Sequence, residues 1–323
     1  MEKEILIEVK NLKKHFPMKN FFGATVGQLK AVDDVSFNIY KGETFGLVGE
    51  SGCGKSTLGR TLLQMIPATD GSVIYRGKDI ANLPKNQWKD ISKKLQIIFQ
   101  DPYSALNPNW TVGELLAEPL ATAGYDKAKT EARVNELIGL VNMNKEDLVK
   151  FPYEFSGGQR QRIGVARAVA SFPEFIFCDE PISALDVSVQ AQVVNMLKDL
   201  QSELGLTYLF TAHDLSMVYH ISDRIGVMYL GGMVELGESE EVFHNSLHPY
   251  TKALISAIPI ADPEMGKKTS RIPVKGELPS PMNVPKGCRF ATRCPHVTEM
   301  CWNERPQLRE VETGHYVACH MVK

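Results

Sequence analysis

The sequence predicts an α/β fold organised around one glycine-rich turn, and three observations carry that prediction. An apolar run at 44–48 leads into Gly-Glu-Ser-Gly-Cys-Gly-Lys-Ser-Thr at 49–57, after which Leu58, Leu62, Leu63 and Ile66 recur at the spacing of one helix face. Apolar runs at 175–178 and 206–211 end near Asp179, Glu180 and His213, so acid and base side chains fall past the C-terminal ends of buried strands, where open α/β sheets place their ligands. Between them, 101–167 changes to helical periodicity, with Val112, Leu115 and Leu116 in phase, and later Val134, Leu137, Ile138 and Val141.

The remaining elements follow in order. Ile5, Ile7 and Val9 alternate with polar residues, as do Val35, Phe37 and Ile39, so the chain opens with strands that bury one face. Phe16 lies between them after Lys13 and Lys14, where it either stacks on a nucleotide base or packs in the core. Strand patterns return at 72–75 and 95–99, and Gln100-Asp101-Pro102 breaks the second. Ser156 is a natural N-cap for the helix-forming run 160–170. Helices are expected at 187–200 and 215–221, then a strand pair, 225–230 and 233–236, around Gly231-Gly232. Half of the eighteen prolines lie from Pro249 onward, which argues against extended regular structure there, and 260–277 reads as a linker to a small cysteine-bearing terminal module.

Bulk composition narrows the function classes. A chain of 323 residues with 43% hydrophobic and 23% charged residues has the length of about two globular domains. A formal net charge of -2 supplies no general attraction for nucleic acid, so none is expected as a partner. The charged start lacks an apolar signal core, and no uninterrupted apolar run reaches membrane-spanning length. The chain is therefore expected in the cytosol, with any membrane role exerted through a partner.

The turn at 49–57 has phosphate-binding chemistry. Gly49, Gly52 and Gly54 let the backbone turn tightly, so that the N–H groups of the loop, Ser51 and Cys53 included, point inward at the positive end of the following helix. Lys55 is placed for the β- and γ-phosphates of a nucleotide, Ser56 offers a hydroxyl to Mg²⁺, and Thr57 reaches a further phosphate oxygen. Asp179 can hold hydrated Mg²⁺ and Glu180 can deprotonate the attacking water. Ser156-Gly157-Gly158 offers a second helix start to an anion although the phosphates already have a cradle.

These motifs, in this order, resemble those of the ABC ATPases over most of residues 1–250. Residues 49–57 resemble the Walker A motif, Gln100 the Q-loop glutamine, and 155–159 the ABC signature with Phe155 in place of the usual Leu. Residues 175–180 resemble a Walker B, Ser183 to Asp186 a D-loop, and His213 the switch histidine. The resemblance implies a P-loop NTPase: a RecA-like core with an antiparallel β subdomain, a helical ABC insert at about 101–167, and a small irregular cysteine-bearing module at 251–323. It implies ATP sandwiched head-to-tail between two subunits, with Ser156, Gly157, Gly158, Gln159 and Asp186 facing the partner's nucleotide. Gln100 would couple Mg²⁺ to the helical insert, His213 would hold the γ-phosphate, and Phe16 matches the family's base-stacking aromatic. The stretches at 178–192 and 248–254 resemble one of the two paralogous ATPases of dipeptide and oligopeptide permeases. Those importers pair two ATPase chains beneath two transmembrane permease chains, at the cytoplasmic face of the inner membrane, served by an extracytoplasmic substrate-binding protein. Nickel importers share the pattern, so the cargo stays open.

Six cysteines in a cytosolic chain argue for thiols or metal ligands rather than disulfides. Cys53 and Cys178 lie inside the nucleotide motifs and read as small packing residues. Cys288, Cys294, Cys301 and Cys319 crowd the terminal module, where a metal staple would be valuable. Their spacing alone leaves iron–sulfur, zinc and plain thiols open. The family resemblance implies a [4Fe-4S] cluster on these four thiolates, with Cys294-Pro295 echoing ferredoxin-type sites. Two further functions stand against a peptide importer. A soluble ABC ATPase of the translation or DNA-repair type usually carries two cassettes or a long coiled coil, and neither is seen here. A GTPase or small-molecule kinase leaves the signature turn and His213 unexplained.

Overall fold

The computed structural model describes residues 3–81, 83–258, 272, 276 and 279–322. Most of the expected linker at 260–277 lies outside the described residues. In chain order the elements begin with strands β1 (Ile5–Lys19), β2 (Thr25–Tyr40) and β3 (Thr44–Val48), helix α1 (Lys55–Leu62), β4 (Asp70–Tyr75), β5 (Lys78–Asp79), α2 (Lys85–Ser92) and β6 (Leu95–Ile98). Helices α3 (Pro102–Ala105), α4 (Val112–Ala123), α5 (Lys127–Leu140) and α6 (Gly157–Val169) follow, then β7 (Phe175–Asp179), α7 (Val187–Leu204) and β8 (Thr207–Thr211). The chain continues through α8 (Leu215–Ile221), β9 (Arg224–Tyr229), β10 (Gly232–Glu238), α9 (Ser239–His244), α10 (Pro249–Ser256), α11 (Glu299–Asn303), β11 (Arg309–Glu312) and β12 (His315–Val317).

Two compact units divide the chain: one holds 1–40, 44–82 and 211–323, the other 41–43 and 83–210. In the first, a four-stranded antiparallel sheet runs β2-β1-β4-β5. The long β1–β2 hairpin turns where the Asn20 Oδ1 accepts the N–H groups of Phe22 and Ala24. Ile5 was expected to face inward with Ile7 and Val9, but it is 42% exposed while Leu6 is buried. A register shift between Ile5 and Ile7 breaks the two-residue alternation at that point. Phe16, expected between the opening strands, belongs to β1 itself and pairs with Leu29.

The same unit carries strands in the order β11-β12-β10-β9-β3. β3 runs parallel to β9 in the register Phe45↔Arg224 to Val48↔Val227, and all five β3 residues are buried, as the continuous apolar run required. β9 and β10 form the expected antiparallel pair. The region after Pro249 is more regular than expected. Pro249 occupies the first turn of α10, where its missing N–H costs nothing, and β12 joins β10 through Glu235↔Val317 and Leu236↔Tyr316. Proline counts mark where a helix can start as well as where it cannot continue.

In the second unit, β6 and β7 pair in parallel and the strand order is β8-β7-β6. The helices here are capped as their sequences dictate. Thr111 and Glu114 close a capping box on α4, Asp126 caps α5, and Gly205 ends α7 at φ +64°. Buried Arg133 of α5 donates to the Val169 carbonyl at the end of α6 and lies 3.8 Å over the Phe172 ring, so one cation neutralises that helix terminus.

Candidate nucleotide site and terminal cysteine module

The 49–57 loop leaves β3 and feeds α1. Gly49 (φ +152°) and Gly54 (φ +111°) adopt backbone that side chains rarely reach, and a Cβ at either would run into a carbonyl oxygen, that of Met228 or of Ala31. The loop is thus pressed against neighbouring backbone at both ends. Gly231 N–H donates to the Cys53 carbonyl at 2.9 Å, and Lys55, 4% exposed, folds its Nζ back to the Gly49 carbonyl at 2.8 Å. Burial raises the Cys53 thiol pKa, which leaves it a protonated packing group. Ser51 and Gly52 are exposed, and Ser56 and Thr57 are half-buried on the first turn of α1. Phe16, half-buried, carries the Lys14 ammonium 4.8 Å over its ring, so it lies at the surface rather than in the core. His213 is exposed just before Asp214, whose side chain caps α8.

In the second unit, β7 ends on fully buried Asp179, and Glu180 follows at φ +47°, a left-handed conformation that is strained for a side chain of this kind. Ser183 donates to the Glu180 carbonyl from both its N–H, at 3.2 Å, and its Oγ, at 3.0 Å. The Gln100 amide donates to the Glu180 Oε2 at 2.9 Å. At the start of α6, Ser156 Oγ accepts the Gln159 N–H at 3.3 Å while the Gln159 Oε1 accepts the Ser156 N–H at 3.0 Å. This reciprocal box fixes the helix start predicted from Ser156. Ser156, Gly157 and Gln159 are exposed, as is Asp186, which precedes α7, and Phe155 is buried beneath them. A Cβ on Gly158 would run into Val189 of α7, so only glycine lets these two helices meet so closely.

Residues 32–183 match the family described as ABC transporter, and residues 234–301 match the oligopeptide/dipeptide transporter C-terminal region. The YkfD protein of Bacillus subtilis (strain 168) is 56% identical over 98% of this chain and 96% of its own length. The oligopeptide transport ATP-binding protein AppF of the same organism is 49% identical over 98% of both chains. This chain belongs to the ATP-binding subunits of oligopeptide-type ABC transporters. A post-hydrolysis dimer of the ATP-binding cassette MJ0796, bound to ADP and phosphate, superposes on this ABC subunit with a TM-score of 0.65, at 26% identity over 72% of this chain and 98% of that one. The chain is accordingly an ATPase of the ABC type.

The four cysteines of the terminal module are embedded in the first unit of this ABC subunit. Cys288 N–H donates to the Cys301 carbonyl at 2.7 Å, and Thr298 Oγ1 lies 3.3 Å from the Cys301 sulfur. Burial pushes the Cys288 thiol up to about 11, and the neighbouring Cys301, Cys319 and Cys294 push in the same direction, so the four thiols lie within electrostatic reach of one another. Among the described residues, no three of these sulfurs lie within 4.8 Å of each other. A single zinc ion at about 2.3 Å from each sulfur would draw them to about 3.8 Å. Another donor set, Glu241, Glu312 and His315, sits near β12, but the His315 Nε2 is already bonded to the buried Glu235 carboxylate at 2.8 Å.

Sequence reasoning did not find the residues that tie this module to the cassette. Asp33 of β2 is buried and receives Arg289 at 2.9 Å, Arg305 at 3.1 Å and His15 at 3.0 Å. Burial alone would raise its pKa, but Arg289 beside it outweighs this, with Lys30 and His15 helping, and holds the carboxyl at about 2. Arg293 grips the Glu50 carboxylate at 2.9 and 3.0 Å, and the Tyr250 hydroxyl accepts the Glu50 N–H at 2.9 Å. One signal was readable in advance: an acidic residue inside a phosphate-binding loop calls for a cation.

Proposed function

We propose that ATP binds with its phosphates on the 49–57 loop and is hydrolysed when this subunit docks head-to-tail on a second, paralogous ATP-binding subunit beneath two transmembrane permease subunits. Hydrolysis then drives uptake of oligopeptides delivered by an extracytoplasmic binding protein. The observation that carries this reading is the second glycine-opened helix start. One nucleotide needs one cradle, yet the start of α6 is also exposed and shaped for an anion, with Asp186 exposed nearby. A nucleotide held by another chain supplies that anion. The likeness to AppF, an oligopeptide transport ATP-binding protein, supports the oligopeptide cargo, and the MJ0796 dimer supports the pairing. Among the described residues no helix is long and apolar enough to cross a membrane, which fits a peripheral place at the cytoplasmic face through the permeases. A cleft of about 280 Å³ lined by Phe99, Pro102, Leu106, Glu118 and Arg167, next in sequence to Gln100, suits a permease segment whose docking would be felt at Gln100.

In this reading the N–H groups of the loop and Lys55 hold the β- and γ-phosphates, Thr57 a further oxygen, and Phe16 the base. Ser56, Gln100 and Asp179 would hold Mg²⁺; a hydroxyl, an amide oxygen and a carboxylate are the hard oxygen donors this ion prefers. Mg²⁺ supplies neutralisation of charge between the phosphates. Glu180 takes the proton of the attacking water, Gln100 orients that carboxylate, and His213 steadies the γ-phosphate. We place a [4Fe-4S] cluster on the thiols of Cys288, Cys294, Cys301 and Cys319 from the family resemblance; among the described residues no three of these sulfurs gather as closely as one zinc ion would require. Such a cluster would staple the terminal module.

Mild membrane solubilisation with a tag on this chain tests the assembly. Co-purifying integral-membrane subunits and a second ATPase are expected, and ribosomes or DNA in their place would defeat the reading. Uptake of labelled oligopeptides should vanish with the chain deleted; loss of nickel uptake alone would reassign the cargo.

A further inference from the structure

We infer that Arg293 neutralises Glu50, the only carboxylate of the phosphate loop, so that the loop accepts the charge of ATP, and that Tyr250 is a positioning residue that holds the Glu50 backbone. This rests on the reading of 49–57 as the phosphate cradle and goes beyond it, since both residues lie in the matched C-terminal region, 234–301.

Glu50 follows Gly49, at φ +152°, and opens the tight turn closed by Cys53 N–H donating to the Glu50 carbonyl at 3.1 Å. Its own N–H is taken by the hydroxyl of Tyr250, a fully buried residue of α10. The Tyr250 ring packs at 4.7 Å from Tyr229 and 5.4 Å from Phe290, centroid to centroid, which sets where that hydroxyl lies. The Glu50 side chain ends on the Arg293 Nη1, which both carboxylate oxygens share, and the Arg293 side chain is only 10% exposed. The Tyr229 hydroxyl, 3.4 Å away, also accepts from Nη1. Backbone and side chain of one loop residue are thus both anchored to a segment some two hundred residues downstream.

The electrostatic consequence has a definite sign. ATP brings several negative charges to this loop, and a carboxylate within it repels them unless a cation neutralises it. Arg293 supplies that cation at charge-assisted hydrogen-bond distance. Removing Arg293 leaves an unpaired carboxylate beside the phosphates, whereas removing the Glu50 charge leaves an unpaired guanidinium, which favours them. A merely structural clamp would lose affinity in both cases.

The test measures ATP affinity of the full-length chain by displacement of a fluorescent ATP analogue. Arg293→Met is expected to bind ATP about tenfold more weakly, and Tyr250→Phe a few-fold more weakly. Glu50→Gln should bind no more weakly than the unmodified chain, and Glu50→Gln with Arg293→Met should recover to within about twofold of it. Raising salt should shrink the Arg293→Met defect, because screening weakens the repulsion. In the membrane complex, Arg293→Met should raise KM for ATP more than it lowers kcat. A folded Arg293→Met chain with unaltered affinity, or a double variant as weak as Arg293→Met, overturns the inference. If Arg293→Met does not fold, Arg293→Lys and Glu50→Gln carry the test: both should bind ATP nearly as the unmodified chain does, and a large loss in Glu50→Gln overturns the inference. Lys55→Ala separates the two levels, since unaltered affinity there would unseat the cradle itself.

Discussion

Gln100 donates its side-chain amide to the Glu180 carboxylate at 2.9 Å, and the carboxylate's own backbone stands at φ +47°. A left-handed, non-glycine residue at the end of a buried strand is costly, about 1–3 kcal/mol, and survives only where its surroundings over-determine it. Here Ser183 holds the Glu180 carbonyl from two sides and Gln100 holds the side chain. The left-handed turn falls at the end of a strand whose last residue, Asp179, is fully buried, and Glu180 is itself only 5% exposed.

Glu180→Gln should therefore keep the loop, because the amide can still pair with Gln100 and the backbone anchors are untouched. It should lower steady-state phosphate release by about 10² to 10⁴, the contribution of a positioned general base. Nucleotide affinity should stay near its original value. Turnover within a few-fold of the unmodified complex would remove Glu180 from the role of base.

Gly158→Ala should separate the two surfaces that the proposed function assigns to nucleotide. Its new methyl collides with Val189, a β-branched side chain on α7 with little rotamer freedom, so α6 must shift away from α7. The 49–57 loop belongs to the other compact unit and should bind ATP as before. Hydrolysis by the assembled pair should fall at least tenfold, read as phosphate release alongside nucleotide binding by the isolated subunit. Equal losses in both measurements would show that α6 serves only the fold.

Legibility followed the range of the interactions. Strand β3, the loop after it and helix α8 could be read from sequence because each is dictated by its own residues: five consecutive buried positions, glycines at positive φ, an aspartate cap. The start of α6 was legible for the same reason, since Ser156 and Gln159 are three residues apart. Ile5 was misread because a β-bulge shifts the alternation without any glycine or proline to announce it. Asp33 and Glu50 could not be matched to Arg289 and Arg293 because each pair joins residues more than two hundred positions apart. Neither periodicity nor local propensity reports contacts of that span. The β11–β12 hairpin was missed because a high proline count was taken as evidence against all regular structure.

The cysteine module yields a compositional prediction. If the four thiolates hold the proposed cluster, the unmodified chain should retain iron and sulfide after anaerobic purification, and Cys288→Ser, Cys301→Ser and Cys319→Ser should each lose them, as should Gly287→Ala, which keeps every thiol. A Cβ at Gly287 would run into the Cys301 carbonyl and the Trp302 backbone, pushing apart the two segments that carry Cys288 and Cys301. Colourless protein with stoichiometric zinc in the unmodified chain would sink the cluster. Iron retained in Gly287→Ala would show that the thiols tolerate more displacement than their packing indicates.

Protonation of His248 should set the acid limit of the fold near this module. The ring is 1% exposed, and its Nδ1 accepts the Tyr250 N–H at 3.1 Å as the cap of α10, a role that requires a lone pair there. Burial pushes its pKa down to about 4, and the nearby Glu235 charge only partly opposes this. Because the folded value lies below the unfolded value of about 6.5, the contribution to stability is complete above pH 6.5 and is lost as pH falls toward 4. The linkage amounts to about 2 kcal/mol by pH 5 and about 3 kcal/mol by pH 4. Asp33 works in the same direction but lower, its share being lost between about pH 4 and pH 2, so the two are separable by pH. His248→Asn keeps a capping acceptor that does not titrate. Urea unfolding at pH 7, 6 and 5 should show the unmodified chain losing stability that His248→Asn retains. Parallel slopes for the two proteins would place the titration elsewhere, and weakening of ATP affinity over the same interval in the unmodified chain alone would show that Tyr250 carries the change to Glu50.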